Sequence, residues 1–472
     1  MYEMYMKNKF LWIALPLMFF IGACHPTYYQ KNEKFNKLFE EQKLEEADAI
    51  LAKEKHPERK KTKFLYYLNR GIIANQLCKY EESNSFFEQA YNIQENFSTN
   101  VLEEALSFVI NANMVEYKGE DHEVLFINYY KALNYLQLDK NDDALVECRR
   151  LNIKLNLLSD RYSDTNKYSR DAFIETLIGI IYQANYDYNN AFISYRNALD
   201  IYEDDYARLF GLQVPEQLKK DLIYSAHKTG FYDQVDYYKQ LFNLDYDPKK
   251  ESDLCDVVFL WHNGLGPIKD EWAIDFVLVA GVGGVVNFKN DELGLCFPFP
   301  LPSGTGNGDI SDLNLIRVAF PKYKERELVY DCGEIVETNN GKVHKFEILE
   351  DVNAISFQVL KQRMMWEFSK SLIRVAIKKF TEYQLSSQNK VLGALVGGLN
   401  YMTEQADTRN WQTLPHSISY VRLRLPEGNH RFTFKTFSSK LAYKNNTQNI
   451  ECKLQKGITT FKMISTPSYV QE

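Results

Sequence analysis

The motifs that mark several common enzyme and cofactor-binding classes are missing from this sequence of 472 residues. It contains no GxSxG, HExxH or P-loop pattern, so no nucleophile elbow, zinc-protease helix or phosphate-binding loop is indicated. The segment Gly281–Val286 fails the dinucleotide-binding pattern, because Val286 stands where the third glycine belongs. We therefore expect no enzyme activity and no cofactor, with an enzyme acting on cell-wall material as the alternative.

Cysteine pairs of the CxxC type are also missing, although the chain has seven cysteines. A zinc or redox motif is therefore not supported. Asn307–Asp309 and Asp312 lack the alternating acids of a calcium loop, so we expect no metal. An exported protein could instead pair the four cysteines of the C-terminal half in three ways, or keep them as free thiols. These four are Cys255, Cys296, Cys332 and Cys452.

An excess of basic residues is likewise absent. The formal net charge is −7, which lacks the electrostatic footprint of a nucleic-acid-binding protein. Hydrophobic residues make up 45% of the chain, enough to form extensive cores. A chain of this length is expected to form two or three domains.

The N-terminus carries the most informative segment. Lys7 and Lys9 precede an apolar run that begins at Phe10 and ends in Ile21-Gly22-Ala23-Cys24. A membrane-spanning helix needs about 20 apolar residues, and this run is shorter and contains a proline. The order of basic, apolar and small residues before a cysteine is typical of a bacterial lipoprotein signal. We therefore predict a signal peptide over residues 1–23 and lipidation of Cys24.

The residues after Cys24 bear on the membrane to which the protein is sent. No aspartate follows the cysteine directly, and no acidic cluster follows it. Such acids tend to act as inner-membrane retention or surface-export signals in lipoproteins. Their absence favours the outer membrane, with the protein facing the periplasm.

One spacing recurs in the region from Asn32 to Pro248. Gaps of 12, 4 and 3 residues separate the members of each copy. The copies are Gly71, Ser83, Phe87 and Ala90; Ala132, Ala144, Cys148 and Leu151; and Gly179, Ala191, Tyr195 and Ala198. Weaker copies lie at Leu44–Leu51 and Gly230–Phe242. We interpret each copy as a helical hairpin in which small residues let two helices approach closely and a large residue fills the adjoining groove.

This repetition predicts an all-α, tetratricopeptide-like helical-hairpin solenoid over residues 24–247, and a solenoid of this kind binds partners on its concave face. The alternative is an ordinary bundle of amphipathic helices.

The hydrophobic period changes after Asp245–Lys250, which we interpret as a linker, and residues 251–472 form the predicted α+β domain with antiparallel strands. The elements predicted there are a strand at Cys255–Trp261, a loop at Phe297–Asp312, a short strand at Ile316–Phe320 ended by Pro321, a hairpin around Asn339–Gly341, a helix at Val352–Tyr383 and an alternating strand at Ile418–Leu425.

Two motifs in this half are candidate sites. The first is a turn with Gly264, Gly266, Pro267 and Lys269, and the second contains Asp407, Arg409 and Trp411. A functional interpretation joins the second motif and His416 into a pocket for a carboxylate-bearing or glycan ligand. A structural interpretation makes it a loop locked by an Asp–Arg pair, with the tryptophan packed on the sheet. We favour the structural interpretation of the second motif, and for the first motif we favour a tight turn after a strand over an anion site.

These segments together resemble a family of uncharacterised bacterial lipoproteins with tetratricopeptide-like N-terminal halves. The segments that carry the resemblance are Tyr130–Leu136, Val146–Arg150, Gly264–Lys269 and Ala406–Trp411 with Leu414-Pro415. Cys148 departs from the family pattern, where a small residue such as alanine is expected. The family has no established activity. Some members are thought to be encoded beside penicillin-binding-protein activator lipoproteins and relatives of the curli secretion lipoprotein, which implies an envelope role by association.

Together, these features predict a lipid-anchored periplasmic scaffold that binds envelope proteins or peptides through helical repeats, in cell-envelope assembly or secretion. The alternative is a ligand-binding envelope receptor with its site in the C-terminal α+β domain. A scaffold predicts an aromatic or polar stripe on the concave face, whereas a receptor predicts that the two C-terminal motifs converge on one pocket.

Overall fold

The computed structural model describes residues 26–97, 115–161, 168, 170–251, 253–280, 285–300, 315–388, 405–440 and 445–470. The predicted signal peptide and Cys24 lie outside these residues, as do Gly281–Gly284 and Asn307–Asp312. In the described part of the chain, none of the helices combines the length and the apolar character that a membrane span requires.

Helices come first along the chain and strands follow, with one long helix among the strands. The helices are α1 (Tyr28–Lys31), α2 (Glu33–Glu40), α3 (Leu44–Ala52), α4 (Lys63–Gln76), α5 (Tyr80–Phe97), α6 (Asp121–Gln137), α7 (Asn141–Arg161), α8 (Ala172–Ala184), α9 (Tyr188–Ile201), α10 (Ala207–Phe210), α11 (Glu216–Thr229), α12 (Tyr232–Phe242) and α13 (Val352–Gln388). Short 3-10 turns at Pro57–Arg59 and Pro248–Glu251 and a π-turn at Tyr202–Tyr206 complete them.

The same turn joins the two helices of five hairpins within the described residues, namely α2–α3, α4–α5, α6–α7, α8–α9 and α11–α12. One residue of each turn is left-handed, with φ between 50° and 90°. These residues are Gln42, Cys78, Asp139, Tyr186 and Gly230. The N–H that follows each of them bonds the carbonyl five residues back, for example Lys79 to Ala74 at 2.8 Å and Lys140 to Tyr135 at 2.9 Å. The hairpins therefore share one local geometry.

The residues of the 12-4-3 spacing lie where the helices of a hairpin touch. A Cβ added to Gly71 would lie 2.7 Å from the Phe87 ring, and one added to Gly179 would lie 2.5 Å from the Tyr195 ring. The hydroxyl of Ser83 donates to the carbonyl of Gly71 at 2.8 Å. The other members of the three copies are buried as well, namely Ala90, Ala132, Ala144, Cys148, Leu151, Ala191 and Ala198. In these two hairpins, glycine makes room for the aromatic ring of the second helix.

The strands form three sheets in the described part of the chain. They are β1 (Cys255–Asn263), β2 (Ile268–Ala280), β3 (Val285–Asn290), β4 (Leu295–Pro300), β5 (Leu315–Lys324), β6 (Cys332–Glu337), β7 (Val343–Lys345), β8 (Glu347–Asp351), β9 (Ser417–Leu425), β10 (Gly428–Phe437), β11 (Thr447–Leu454) and β12 (Thr460–Thr466). Sheet 1 has the order β12-β1-β9-β8, sheet 2 the order β11-β10-β6-β7 and sheet 3 the order β4-β3-β2-β5. The pairs are antiparallel except for β1 with β12, which are parallel.

Sheet 1 is the middle layer of the molecule. Val258 and Leu260 of β1 point into a core that they share with the helices. Their neighbours Val257 and Phe259 point the other way, into a core shared with Phe432 of sheet 2. Both faces of β1 are therefore buried, which explains its uninterrupted apolar sequence. Helices, sheet 1 and sheet 2 thus form three stacked layers.

Sheet 3 packs on the long helix α13 through a core of its own. Phe320 of β5 stacks on Phe368 of α13 with 3.9 Å between the ring centroids. Two sequence predictions in this region are wrong. Part of the predicted loop at Phe297–Asp312 belongs to β4, and β5 continues through Pro321 to Lys324. Both strands lie at sheet edges, where a proline removes no ladder hydrogen bond.

Six cysteines lie among the described residues, and all six are free thiols. Cys255 and Cys452 are buried in the core between sheets 1 and 2, whereas Cys296 and Cys332 are exposed.

The shared turn predicts opposite effects for the same kind of substitution. Asp139 is exposed and left-handed at the C-terminal end of α6, so we expect Asp139→Gly to raise the free energy of unfolding by about 1 kcal/mol, because it relieves backbone strain and an unfavourable dipole contact. Urea denaturation measures this change. In the matched control Asp142→Gly, in the first turn of α7, we expect a loss of about 0.5–1 kcal/mol. Equal losses in both variants would contradict the role assigned to the turn.

Candidate functional site

The two C-terminal motifs meet each other. The N–H of Gly266 donates to the carbonyl of Leu414 at 2.8 Å. The side chain of Asn410 donates to the carbonyl of Pro267 at 2.8 Å and accepts from the N–H of Lys269 at 3.3 Å. Gly264 adopts a left-handed φ of 62°, and a Cβ there would lie 2.4 Å from Leu328. The first motif is thus a tight turn fitted against the second.

Lys269 connects the two motifs to the helical half, and we call this set of buried contacts between the halves the buried joint. Its ammonium, 4% exposed, pairs with the carboxylate of Glu120, which also pairs with Arg363 of α13. Burial disfavours the ionised form of Glu120, but Arg363 and Lys269 outweigh it and hold the pKa of Glu120 far below its usual range. Burial likewise opposes the charge of Lys269, yet the pKa of Lys269 is raised because Glu120 faces it. Both groups therefore stay charged in the interior.

Asp407 and Arg409 form a bidentate pair that ties the loop to the helices. The guanidinium Nε and Nη2 of Arg409 donate to the two oxygens of Asp407 at 2.8 and 2.7 Å. Its Nη1 reaches the carbonyls of Val115 at 2.8 Å and Lys61 at 3.3 Å. The guanidinium of Arg409 is thus hydrogen-bonded to Asp407 and to main-chain carbonyls of the protein itself.

Trp411 is the centre of the joint and is 1% exposed. Its main-chain N–H donates to Glu123 at 2.7 Å, and its ring centroid lies 6.0 Å from those of Phe87 and Tyr130. Glu123 also accepts from the hydroxyl of Tyr117 at 2.7 Å. Burial and the charge of Glu120 raise the pKa of Glu123 to about 7. The candidate residues therefore lie in a buried joint between the two halves, in which Asp407 and Arg409 pair with each other and Trp411 packs against Phe87 and Tyr130 of the helices.

A second ionic joint, which was not predicted from the sequence, links α11 to sheet 1. Arg422 lies 3.3 Å from Asp221 and 3.0 Å from Asp256, while Arg424 lies 3.1 and 3.0 Å from the same two carboxylates. Burial opposes the charge of Arg422, but Asp221 and Asp256 raise its pKa well above the usual value. The alternation of arginines along β9 was the available signal, since it puts both charges on the face that meets the helices.

The helices do present an aromatic stripe, and sheet 1 covers it. Tyr129, Tyr130 and Phe173 are buried in one core with Leu260 and Tyr420 of the sheet. Polar groups along the stripe form hydrogen bonds with residues of the C-terminal half. Tyr129 shares a hydrogen bond of 2.7 Å with His262, and the hydroxyl of Tyr202 donates to the carbonyl of Leu349 at 2.7 Å. The helical face that carries the stripe is thus occupied by the chain's own sheet.

A cavity of about 370 Å³ opens where the hairpin turns meet β12. Its volume lies in the range of small-ligand sites, about 300–1,000 Å³. The lining comes from the turns of the first three hairpins and from strands β1, β11 and β12. The residues are Gln42, Leu44, Asn75, Gln76, Cys78, Tyr80, Gln137, His262, Gln448, Lys462, Met463, Ile464 and Ser465.

β12 is an edge strand, and one side of its main chain faces this cavity. The carbonyl of Thr466 accepts a hydrogen bond from the N–H of Gly264 beside β1. The main-chain N–H and C=O groups of the even-numbered residues of β12 therefore point toward β1. The main-chain groups of the odd-numbered residues point the other way, toward the helices. Gln137 accordingly donates to the carbonyl of Phe461 at 2.9 Å, and Gln42 to that of Ser465 at 2.8 Å. Met463 lies between them and turns its main-chain N–H and C=O toward the cavity.

The lining of the cavity combines amides with one cation. Among the described residues that line it are five side-chain amides and no carboxylate, and Lys462 supplies a positive charge. Burial lowers the pKa of His262 to about 4, so this imidazole is neutral near pH 7. The cavity therefore offers amide donors and acceptors together with one cation. Among the described residues, no group of three His, Cys, Asp or Glu side chains is placed to hold a metal ion.

Comparisons with known proteins give little. No protein-family model matches the chain, and no curated protein matches it. The apo form of RapI is similar over 47% of this chain and 55% of its own, with 16% identity and a TM-score of 0.32. BtubC (BKLC) from P. vanneervenii is similar over 47% of this chain and 78% of its own, with 18% identity and a TM-score of 0.28. The chain thus spans little more than half of RapI, and at these TM-scores neither likeness bears on fold or function.

The buried joint predicts a large cost for removing its lysine. We expect Lys269→Met to lower the free energy of unfolding by about 3 kcal/mol, because the buried carboxylate of Glu120 loses the buried one of its two cationic partners. Lys456 pairs with Asp253 at the surface and is 67% exposed, so the matched Lys456→Met should change stability by at most about 0.5 kcal/mol. Chemical denaturation of both variants tests this, and equal effects would refute the proposed role of the joint.

His262 predicts a pH dependence. Its pKa is about 4 in the folded protein and about 6.5 in the unfolded chain. The unfolded chain therefore binds a proton that the folded protein does not, and stability from the neutral ring is lost as the pH falls through this window. The free energy of unfolding should thus fall less steeply between about pH 6.5 and 4 for His262→Gln than for the native protein. Identical pH slopes in urea unfolding would count against the buried neutral state.

Proposed function

We propose that this protein is a lipid-anchored scaffold of the outer membrane, facing the periplasm, that binds partner proteins in envelope assembly or secretion. Its helical hairpins are interpreted as a tetratricopeptide-like array. Their common turn geometry and the glycine–aromatic contacts inside the hairpins support this interpretation.

The observation that carries the proposal is the cavity beside the free edge of β12. Helical repeats commonly bind partners on their concave face. Here the chain's own sheet 1 covers the aromatic stripe of the helices. The partner is therefore expected at the row of hairpin turns, where helices and sheet together leave an accessible polar space.

Anchoring at Cys24 would hold the folded body close to the bilayer. Tyr28 follows four residues after Cys24 and is fixed to the body by a hydrogen bond of 3.0 Å from its N–H to Thr408. Tyr29 shares a hydrogen bond of 2.8 Å with Tyr469. Four residues extend at most about 14 Å. A lipidated Cys24 would therefore keep the body beside the membrane rather than on a long tether.

The alternative, a receptor for a small ligand, is supported by the size of the same cavity. Its amide-rich lining could hold a compact polar molecule. In that case the site would lie between the two halves rather than within the C-terminal half alone.

A photo-crosslinking residue placed at Gln448, on the cavity rim, tests the scaffold proposal in cells. We expect a discrete adduct with an envelope protein at Gln448, and its loss when Cys24→Ala removes the anchor. Tyr237, 54% exposed on α12, is the matched control site and should give no such adduct. Equal adducts at both sites, or none in the anchored protein, would contradict the proposal, and saturation of the site by a small metabolite alone would favour the receptor.

A further inference from the structure

We propose that the cavity beside β12 binds an extended peptide segment carrying a carboxylate, and that one peptide unit of it pairs with the main chain of Met463. This inference rests on the proposed partner-binding function and names the chemistry that the site recognises.

The edge of β12 supplies the first argument. An edge strand offers a row of main-chain donors and acceptors to any extended chain that lies beside it. At Phe461 and Ser465 the carbonyls on this side already accept from Gln137 and Gln42. The glutamines therefore block pairing at both ends, over a span of about 13 Å. Met463 is the position between them that faces the cavity, which limits the contact to one peptide unit.

The side chains around this position supply the second argument. Gln42, Gln76, Gln137, Gln448 and Asn75 line the space, and an amide both donates and accepts. Such groups match the alternating N–H and C=O groups of a peptide. The main-chain edge of β12 favours a peptide over a glycan, because an unpaired N–H and C=O of one strand residue recognise a peptide unit.

The charge of the site supplies the third argument. Lys462 is partly exposed at the cavity, the described residues of the lining include no carboxylate, and the neutral imidazole of His262 also lines it. A ligand carboxylate placed here gains an ion pair and meets no like charge from the lining. An acidic side chain or a free C-terminus close to the paired peptide unit satisfies this requirement.

The left-handed turns explain why the polar wall lies here. Gln42 and Cys78 occupy positions that favour glycine, and both line the cavity. Side chains there cost about 1–2 kcal/mol of backbone strain each. At Gly230, the equivalent turn of the last hairpin, a Cβ would meet nothing. Gln42 and Cys78, unlike Gly230, thus lie where a side chain reaches the cavity, and Gln42 also bonds β12.

The probe is N-acetyl-tetraalanine with a free C-terminal carboxylate, compared with its C-terminal amide. Methionine methyl groups labelled with carbon-13 report the site, and the Met463 signal is assigned from its loss in Met463→Leu. We expect the acid to shift the Met463 signal in a saturable manner, and the amide to bind about tenfold more weakly. Absence of any shift with both peptides would overturn the proposal.

Two matched variants test the main-chain contact, with binding followed on the methyl signals of the peptide. Met463→Pro removes the N–H that faces the cavity and leaves the ladder to β1 intact, because that N–H is on the free edge. Met463→Ala shortens the side chain and keeps the N–H. We expect proline to abolish binding and alanine to retain it. Equal binding by both would show that the main chain is not used.

The charge is tested by Lys462→Gln, which should remove the preference for the acid over the amide. If thermal unfolding shows that Met463→Pro does not fold, peptide binding by Lys462→Gln and Gln137→Ala tests the site instead. A shift of Met463 by an N-acetylglucosamine oligosaccharide, with none by peptide, would assign the site to a sugar. A crosslink at Gln448 that persists without peptide binding would refute this inference and leave the proposed function standing.

Discussion

The burial of sheet 1 on both faces is the constraint on which the rest of the structure depends. Alternate side chains of β1 enter two different cores, one shared with the helices and one shared with sheet 2. Neither neighbour can be removed without exposing a row of large apolar side chains to water, at about 25 cal/mol for each Å². The helical hairpins and the C-terminal sheets are therefore connected by one continuous interior, although the sequence changes character between them.

Buried charges determine how the layers fit together. Lys269 with Glu120, and Arg422 with Asp221, place opposite charges on opposite sides of the interface between helices and sheet. Buried pairs contribute little net stability compared with apolar contacts, but a misaligned pair leaves an uncompensated charge at a high cost. One joint lies at the start of α6 in the middle hairpin and the other on α11 in the last hairpin, and this separation suits them to fixing the register of the layers. Their partners come from distant parts of the chain, as in the separation of Glu120 and Lys269 by 149 positions.

The local features of this fold could be predicted from the sequence, and the contacts between its halves could not. Hairpins are local, so the spacing of Gly71, Ser83 and Phe87 indicated the middle repeats. The first hairpin gave only the weaker copy at Leu44–Leu51, because Phe35 replaces the small residue seven positions before its turn. The motif around Trp411 was found, but its partner Glu123 lies 288 positions away. The cavity was missed for a similar reason, because the first three hairpins and three strands contribute to its lining. Pro321 was misread as a strand end because the sequence does not show which strands are edges.

The covered aromatic stripe has a mechanical consequence. An open helical-repeat array touches only its neighbours along one dimension, so it bends and stretches like a spring. Here sheet 1 packs along the array, so bending of the array would require the helices to slide over a close-packed layer. The protein should therefore be rigid, and a bound partner should barely alter its shape. Such stiffness suits a part that sets a fixed distance or angle between the bodies attached to it.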